Sequence, residues 1–183
     1  SKGACHIYNK FSMDAPSNMF VAEYASRPPM AKIFYEDILM AAVFFGYPLL
    51  IENNKYGIAR YFESRGYDGY VLDRPDHLKV PGSSSNVKTK GIPSNSQDVI
   101  QAHASAIEDY IHNHVGGKED GTCGQMYFNR TLEDWVGFKI DKRTKYDLSI
   151  SSGLALLASQ KVKVEKPKTN FAEKQFFRRY KTN

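Results

Sequence analysis

The 183-residue chain is 42% hydrophobic and 25% charged, a balance that suits a soluble globular protein with one sizeable core, or one domain and an appendage. No apolar run is long enough to span a bilayer, and Ser1-Lys2-Gly3-Ala4 has no signal-peptide layout. The net charge of +5 is uneven: residues 161–183 hold eight Lys/Arg against two Glu, and the rest holds seventeen basic against eighteen acidic groups. This divides the chain into a body, residues 1–160, and a basic tail, residues 161–183. In the tail Phe171, Phe176, Phe177 and Tyr180 interleave with Lys174, Arg178, Arg179 and Lys181. That pattern serves a phosphate- and base-binding segment, and equally a solvated terminal helix whose aromatics dock on the body. Cys5 and Cys123 have no metal-ligand spacing, so reduced thiols are expected rather than a disulfide scaffold.

In chain order, "ACHIYNKFS" and "MFVAEYAS" read as two strands of a hairpin turned by "MDAPSN". After Pro28-Pro29, "AKIFYEDILMAAVFFG" predicts a helix with Ile33, Ile38, Leu39, Ala42 and Phe45 on its apolar side and Gly46 as its stop. "YPLLIE" is a short buried strand. "GIARYFESRG" is a helix with Ile58, Tyr61 and Phe62 on one face, and "GYVLD" is another short strand. Residues 74–94 read as a long loop with room for a small hairpin. Ser94 or Ser96 caps a helix lined by Val99, His103, Ile107, Tyr110, Ile111 and Val115. "QMYF" is extended, "TLEDWVGF" is a brief helix capped by Thr131, and "DKRTKYDLSISSGLALLAS" is a final helix with Tyr146, Ile150, Leu154 and Leu157 as its stripe and Asp141 as its cap. Strand-helix-strand-helix-strand order implies parallel strands, so with the hairpin the expectation is a mixed α/β sheet flanked by helices.

In such sheets the working residues stand just past the carboxyl ends of strands. Glu52 ends "LLIE", and Asp147 lies beside the stripe of the last helix. Two half-buried carboxylates repel each other, and a hard divalent cation such as Mg2+ or Mn2+ relieves that. A pair of such ions supports phosphodiester hydrolysis. The ordinary alternative pairs Glu52 with Arg60 or Lys55, and Asp147 with Arg143. Asp73, ending "GYVLD", is a candidate accessory neighbour or a turn-forming acid. Lys79, Lys88 and Lys90 are candidate phosphate contacts, which position DNA without reading its sequence. His103 reads as a core-edge histidine, His112 and His114 as surface residues, and His77 as a loop residue.

"PLLIENNKYGIARYFESRGYDGYVLDRP", "KTKGIPSNSQDVIQAHASAIEDYIHNH" and "DKRTKYDLSISSGLALLAS" together resemble the nuclease domain of tailed-phage terminase large subunits, from about Ala4 to Ser159. The resemblance implies a ribonuclease H-like fold and a DNA endonuclease that cuts concatemeric viral DNA with two metal ions in the host cytoplasm. Glu52 and Asp147 would be its catalytic and metal-binding acids, with Asn53 beside them. Its partners would be double-stranded DNA, the terminase ATPase domain, the portal and the small terminase subunit, and no membrane. In the family the first acid lies on a central strand ahead of "ACHIYNKFS", which this sequence does not contain. Asp14, in the hairpin turn, cannot replace that acid by position. No phosphate-loop motif G-x-x-x-x-G-K-[ST] occurs either. A noncatalytic DNA-binding or docking module of the same fold, and another ribonuclease H-like enzyme such as a resolvase, are the alternatives.

Overall fold

A computed structural model describes residues 3–11, 13, 17–53, 57–75, 78, 89–93, 96–115 and 126–160. Strands β1 (Gly3–Asn9) and β2 (Met19–Ser26) form the predicted antiparallel hairpin, in register from Gly3↔Ser26 to Asn9↔Met19 with a bulge between Ile7 and Tyr8. Alternation sends paired neighbours to opposite faces. Cys5 and Tyr24 pack against a cluster of Ile38, Leu39, Ala42, Ile51, Phe62 and Val71. Phe20 and Tyr8 join the other cluster, with Leu50, Ile92, Ile107, Tyr110, Trp135 and Leu157. Helices α1 (Ala31–Phe45) and α2 (Gly57–Ser64) supply the first cluster. Helices α3 (Gln97–Tyr110), α4 (Asn129–Gly137) and α5 (Asp147–Ser159) supply the second. The chain is therefore mixed α/β, with helices on both sides of an extended middle layer. Among the described residues no helix is long and apolar enough to cross a membrane.

The "LLIE" and "GYVLD" strands expected from the sequence are not formed as strands: among the described residues the one sheet is the two-stranded hairpin, Asp68–Tyr70 is a 3-10 turn, and the two segments meet in parallel only at an isolated bridge. Leu49 pairs with Val71, through Leu49 N–H to Tyr70 O at 2.7 Å and Leu72 N–H to Leu49 O at 2.9 Å. Beyond that pair the two segments part and residues 90–92 enter between them. Ile92 N–H donates to Ile51 O and Asn53 N–H to Ile92 O, each at 2.9 Å, while Asp73 pairs with Lys90. Gly91 makes the wedge possible, because its φ is +70° and a Cβ there would strike the Ile51 carbonyl. Leu49, Ile51 and Asn53 bond toward this fork, so the backbone groups of Leu50 and Glu52 point to the opposite edge. Among the described residues no backbone hydrogen bond joins that edge to the hairpin, although Leu50 and Ile51 share both clusters with it.

The helices match the sequence reading at their centres and depart from it at their ends. α1 stops at Gly46, whose φ of 68° lets its N–H reach the Ala42 and Val43 carbonyls. Its buried side is Ile38, Leu39 and Ala42; Ile33 and Phe45, expected inside, are exposed. α3 buries Val99, His103, Ile107 and Tyr110 as predicted, with Ala106 added. Ile111 is exposed because the chain widens into a π turn over Ile111–Val115, which shifts the helical phase. Thr131 does not cap α4: it lies inside the helix, fully buried, and bonds to other elements. Ser96 holds the cap position of α3 without a side-chain cap bond. Ser94 lies outside the described residues.

The last helix departs most. Residues Ile140–Lys145 form 3-10 turns, so Asp141 is no cap, and α5 begins at Asp147. Its buried side is Ser149, Ser152, Gly153 and Leu156, flanked by Ser151 and Leu157, rather than Tyr146, Ile150 and Leu154. Small residues let α5 approach β1, α3 and α4 closely, and each serine hydroxyl is satisfied where it sits. Ser149 N–H and Oγ donate to Asp134 Oδ2 at 2.7 and 2.8 Å, and Trp135 Nε1 donates to Ser152 Oγ at 2.9 Å. Gly153 faces His103 of α3, not the sheet, and a Cβ on it would meet the imidazole ring. Gly153→Ala is therefore expected to destabilise. The roughly 1 kcal/mol helix-propensity gain is outweighed by overpacking that costs about 1–3 kcal/mol. A lower urea midpoint is the expected result; a higher one would contradict this packing.

Candidate functional site

Glu52 is positioned by the fork. Leu50 and Ile51, both buried on opposite faces, fix the segment, and the bond from Asn53 N–H to Ile92 O fixes the turn after it. The Glu52 side chain emerges at the end, about one-third exposed (32%). Arg143 Nη2 donates to Glu52 Oε1 at 3.0 Å, across 91 residues of chain. The Arg143 side chain is only 16% exposed, so the pair is better shielded than a surface salt bridge. Tyr146 N–H donates to Arg143 O at 3.0 Å, closing a tight turn that leads directly into Asp147, the first residue of α5. Through Arg143 the 3-10 turn ahead of α5 is thus tied to the carboxyl end of the Leu49–Ile51 segment. Asp147 is half-buried there and has interactions of its own.

The sequence offered Arg143 to Asp147, because residues four apart meet on an α-helix. Residues 140–145 are 3-10 and the α-helix starts only at Asp147. Arg143 reaches Glu52, the acid to which the sequence offered Arg60 or Lys55; Lys55 lies outside the described residues. Asp73 is the next acid along the fork. Its Oδ1 is buried without a hydrogen bond, 3.4 Å from Lys90 Nζ. Lys90 also donates to Val71 O at 2.8 Å, so its ammonium is turned onto the fork. Lys79, Lys88, Arg178, Arg179, His77, Asp14, Cys123 and the tail lie outside the described residues.

Comparison with families of proteins, with characterised proteins and with solved structures gives no match. The site must therefore be judged on its own chemistry. Glu52, Asp147 and Asp73 offer only carboxylate oxygen, which suits Mg2+ or Mn2+ and not a soft metal. Glu52 already holds a cation in the form of Arg143, and Asp73 Oδ1 has coordinating capacity left over. Among the described residues no three His, Cys, Asp or Glu side chains converge as a complete ligand group.

His103 is a core-edge histidine as expected: its Nε2 meets Ile150 O at 2.9 Å, and burial lowers its pKa. His112 is exposed, while His114 lies half-buried with its ring against Tyr110. The Cys5 thiol is free, and burial pushes its pKa up to about 12, which leaves it unreactive.

One polar cluster is not apparent from sequence spacing. His6 lies opposite Glu23 across the hairpin, and Thr131 of α4 stands between their polar ends. Thr131 Oγ1 donates to Glu23 Oε2 at 2.6 Å, which leaves it only lone pairs for His6 Nε2 at 2.7 Å. Nε2 therefore carries the ring proton, and Nδ1 accepts from Ser151 Oγ at 2.7 Å. His6 and Glu23 approach to 3.9 Å but are no ion pair, since burial presses the imidazole pKa down to about 3. The His6 side chain is wholly buried, so the cluster is a strut between the hairpin, α4 and α5. Its one sequence signal is a histidine and a glutamate within strands that otherwise read as core.

Proposed function

We propose that the chain is the nuclease domain of a genome-packaging terminase large subunit, a metal-dependent endonuclease for double-stranded DNA. The supporting observation is the Arg143–Glu52 contact, which joins the two segments that carry the acids singled out by the resemblance. Among the described residues no backbone hydrogen bond joins the Leu50 and Glu52 edge to the hairpin, and the resemblance calls for a central strand bearing the first acid between those two elements.

In this reading Glu52 and Asp147 hold the ion, and Asp73 stands near it. A divalent ion there supplies Lewis acidity for attack of water on a phosphodiester. The backbone tie from Asn53 to Ile92 and the Arg143 contact hold Glu52 at the end of the segment. DNA is held by phosphate contacts from the loop and tail lysines and arginines, as a nuclease that cuts many sequences requires. The ATPase domain, portal and small subunit are the proposed partners, in the host cytoplasm.

The test is nicking of supercoiled plasmid by a version of the protein that includes an acid-bearing strand ahead of Ala4. Nicked and linear DNA should form with Mn2+ and not with EDTA. DNA binding without cleavage would favour the noncatalytic docking module instead.

A further inference from the structure

We propose that residues 176–180, Phe-Phe-Arg-Arg-Tyr, dock in a cleft of the same chain, between the end of α1 and the Gly66–Tyr70 turn. The cleft holds about 560 Å3 and is lined by Gly46, Pro48, Gly66, Tyr67, Asp68 and Tyr70. The Tyr67 and Tyr70 ring centroids lie 6.0 Å apart, with Asp68 between them in the chain. Among the described residues no cation meets the Asp68 carboxylate; Arg65, just ahead of Gly66, is committed to Glu36 at 2.6 Å. Beside the cleft α1 ends in open apolar surface. Phe44 is 83% exposed, and Met40, Val43, Phe45 and Tyr47 are exposed as well. Single exposed apolar residues are ordinary, whereas a run of them along one helix end marks an interaction surface.

Chemistry and position select the tail as the occupant. Aromatic rings around an uncompensated carboxylate suit a segment that is both aromatic and cationic, through ring packing, cation–π contact and ion pairing. Phe176, Phe177 and Tyr180 with Arg178 and Arg179 supply both, in a tail of eight Lys/Arg against two Glu. As to position, Lys10 Nζ donates to Ser159 O at the end of α5, and Asn9, the residue before Lys10, accepts from Tyr47 Oη at 3.2 Å. The tail therefore starts from the same edge of the body as Tyr47, next to Gly46 of the cleft. The chain from Gln160 to Phe176 can span up to about 50 Å when extended, well beyond what that neighbourhood requires. Tethering also gives the segment a local concentration on the order of millimolar, which a free partner would have to match. This docking does not rest on the nuclease reading. Arginines held in the cleft are withheld from phosphate, so the two contacts compete for Arg178 and Arg179.

The test uses the full chain with a nitroxide on Thr182→Cys, after Cys123→Ser; Cys5 is buried and unreactive. In amide NMR spectra the signals of Gly46, Gly66 and Gly69, at the cleft, should broaden selectively against those of Gly137 and Gly153. Phe176→Ser together with Phe177→Ser should abolish that selectivity, and Asp68→Asn should reduce it, with unchanged spectra elsewhere as the check on folding. Uniform or absent broadening overturns the proposal, as does selective broadening that survives loss of both phenylalanines. Should Asp68→Asn disturb the fold, Arg178→Gln with Arg179→Gln makes the same comparison from the tail. Unchanged selectivity in these charge variants overturns the ion pairing. In a mixture of isotope-labelled chain without nitroxide and unlabelled chain with it, the three glycines should stay sharp. Equal broadening in that mixture would assign the cleft to the tail of a second copy and overturn docking within one chain.

Discussion

Asp147→Asn, in a form of the protein that nicks plasmid, is expected to abolish Mn2+-dependent cleavage. The loss should be at least roughly a hundredfold, the scale for removing one group that stabilises charge in a transition state. Asparagine keeps the shape of the side chain and removes only its charge. Asp147 is the first residue of α5, and an acid in the first turn is worth at most about 1 kcal/mol through the helix dipole. The helix itself is secured elsewhere, by Asp134 on Ser149 and by its close-packed small face. Asp147 also has interactions of its own, so the unfolding midpoint should fall while the fold persists and activity disappears. Retained cleavage would remove Asp147 from the site, and gross unfolding would make it a structural acid.

The largest expected loss of stability lies at the His6 strut. Thr131→Val preserves shape and deletes the one hydroxyl that serves both Glu23 and His6. It leaves a buried N–H and a nearly buried carboxylate short of partners, at a cost of about 2 to 4 kcal/mol. Arg130, 3.8 Å from Glu23 and largely exposed, compensates only in part.

The same strut makes the fold acid-sensitive. His6 is neutral in the folded chain down to about pH 3, whereas an unfolded histidine takes up a proton near pH 6.5. Between those values the unfolded state binds the extra proton. The contribution of His6 is thus fully present above pH 6.5 and is lost as pH falls through that window, by up to about 1.4 kcal/mol per unit. His103, lowered by burial, acts with the same sign. His6→Gln should be less stable at pH 7 yet show a pH slope shallower by about one proton, in urea unfolding followed from pH 7 to pH 4. An unchanged slope would mean that His6 is protonated in the fold.

Local patterning made much of the fold legible. The hairpin, the parallel placing of Leu49 and Val71, the Gly46 stop and the buried line of α3 all follow from alternation, helical period and a glycine at positive φ. α5 was misread because its buried side consists of Ser149, Ser152 and Gly153. A hydropathy stripe cannot reveal a face that is buried for its small size. Thr131 was misread because a threonine near a helix start has two uses, as a cap or as a buried bridge, and only the position of His6 decides between them. Of the candidate site, the sequence yielded Glu52 and Asp147 as acids at element ends, but did not show that Arg143 reaches Glu52. The partner of an arginine depends on where a 3-10 turn becomes an α-helix, which residue type alone does not specify.

The hairpin and α5 are the earliest and latest described elements, and they are tied directly to each other. His6 meets Ser151 across 145 residues, and Lys10 Nζ donates to Ser159 O across 149. During synthesis β1 therefore leaves the ribosome long before the helix that completes its packing exists. With chain growth at roughly 5–20 residues per second, that interval lasts on the order of ten seconds or more. Throughout it, the buried polar side of His6 and the ring of Phe20 lack their final cover, and closing so long a loop is itself slow. The nascent hairpin thus waits for α5 before its packing is complete.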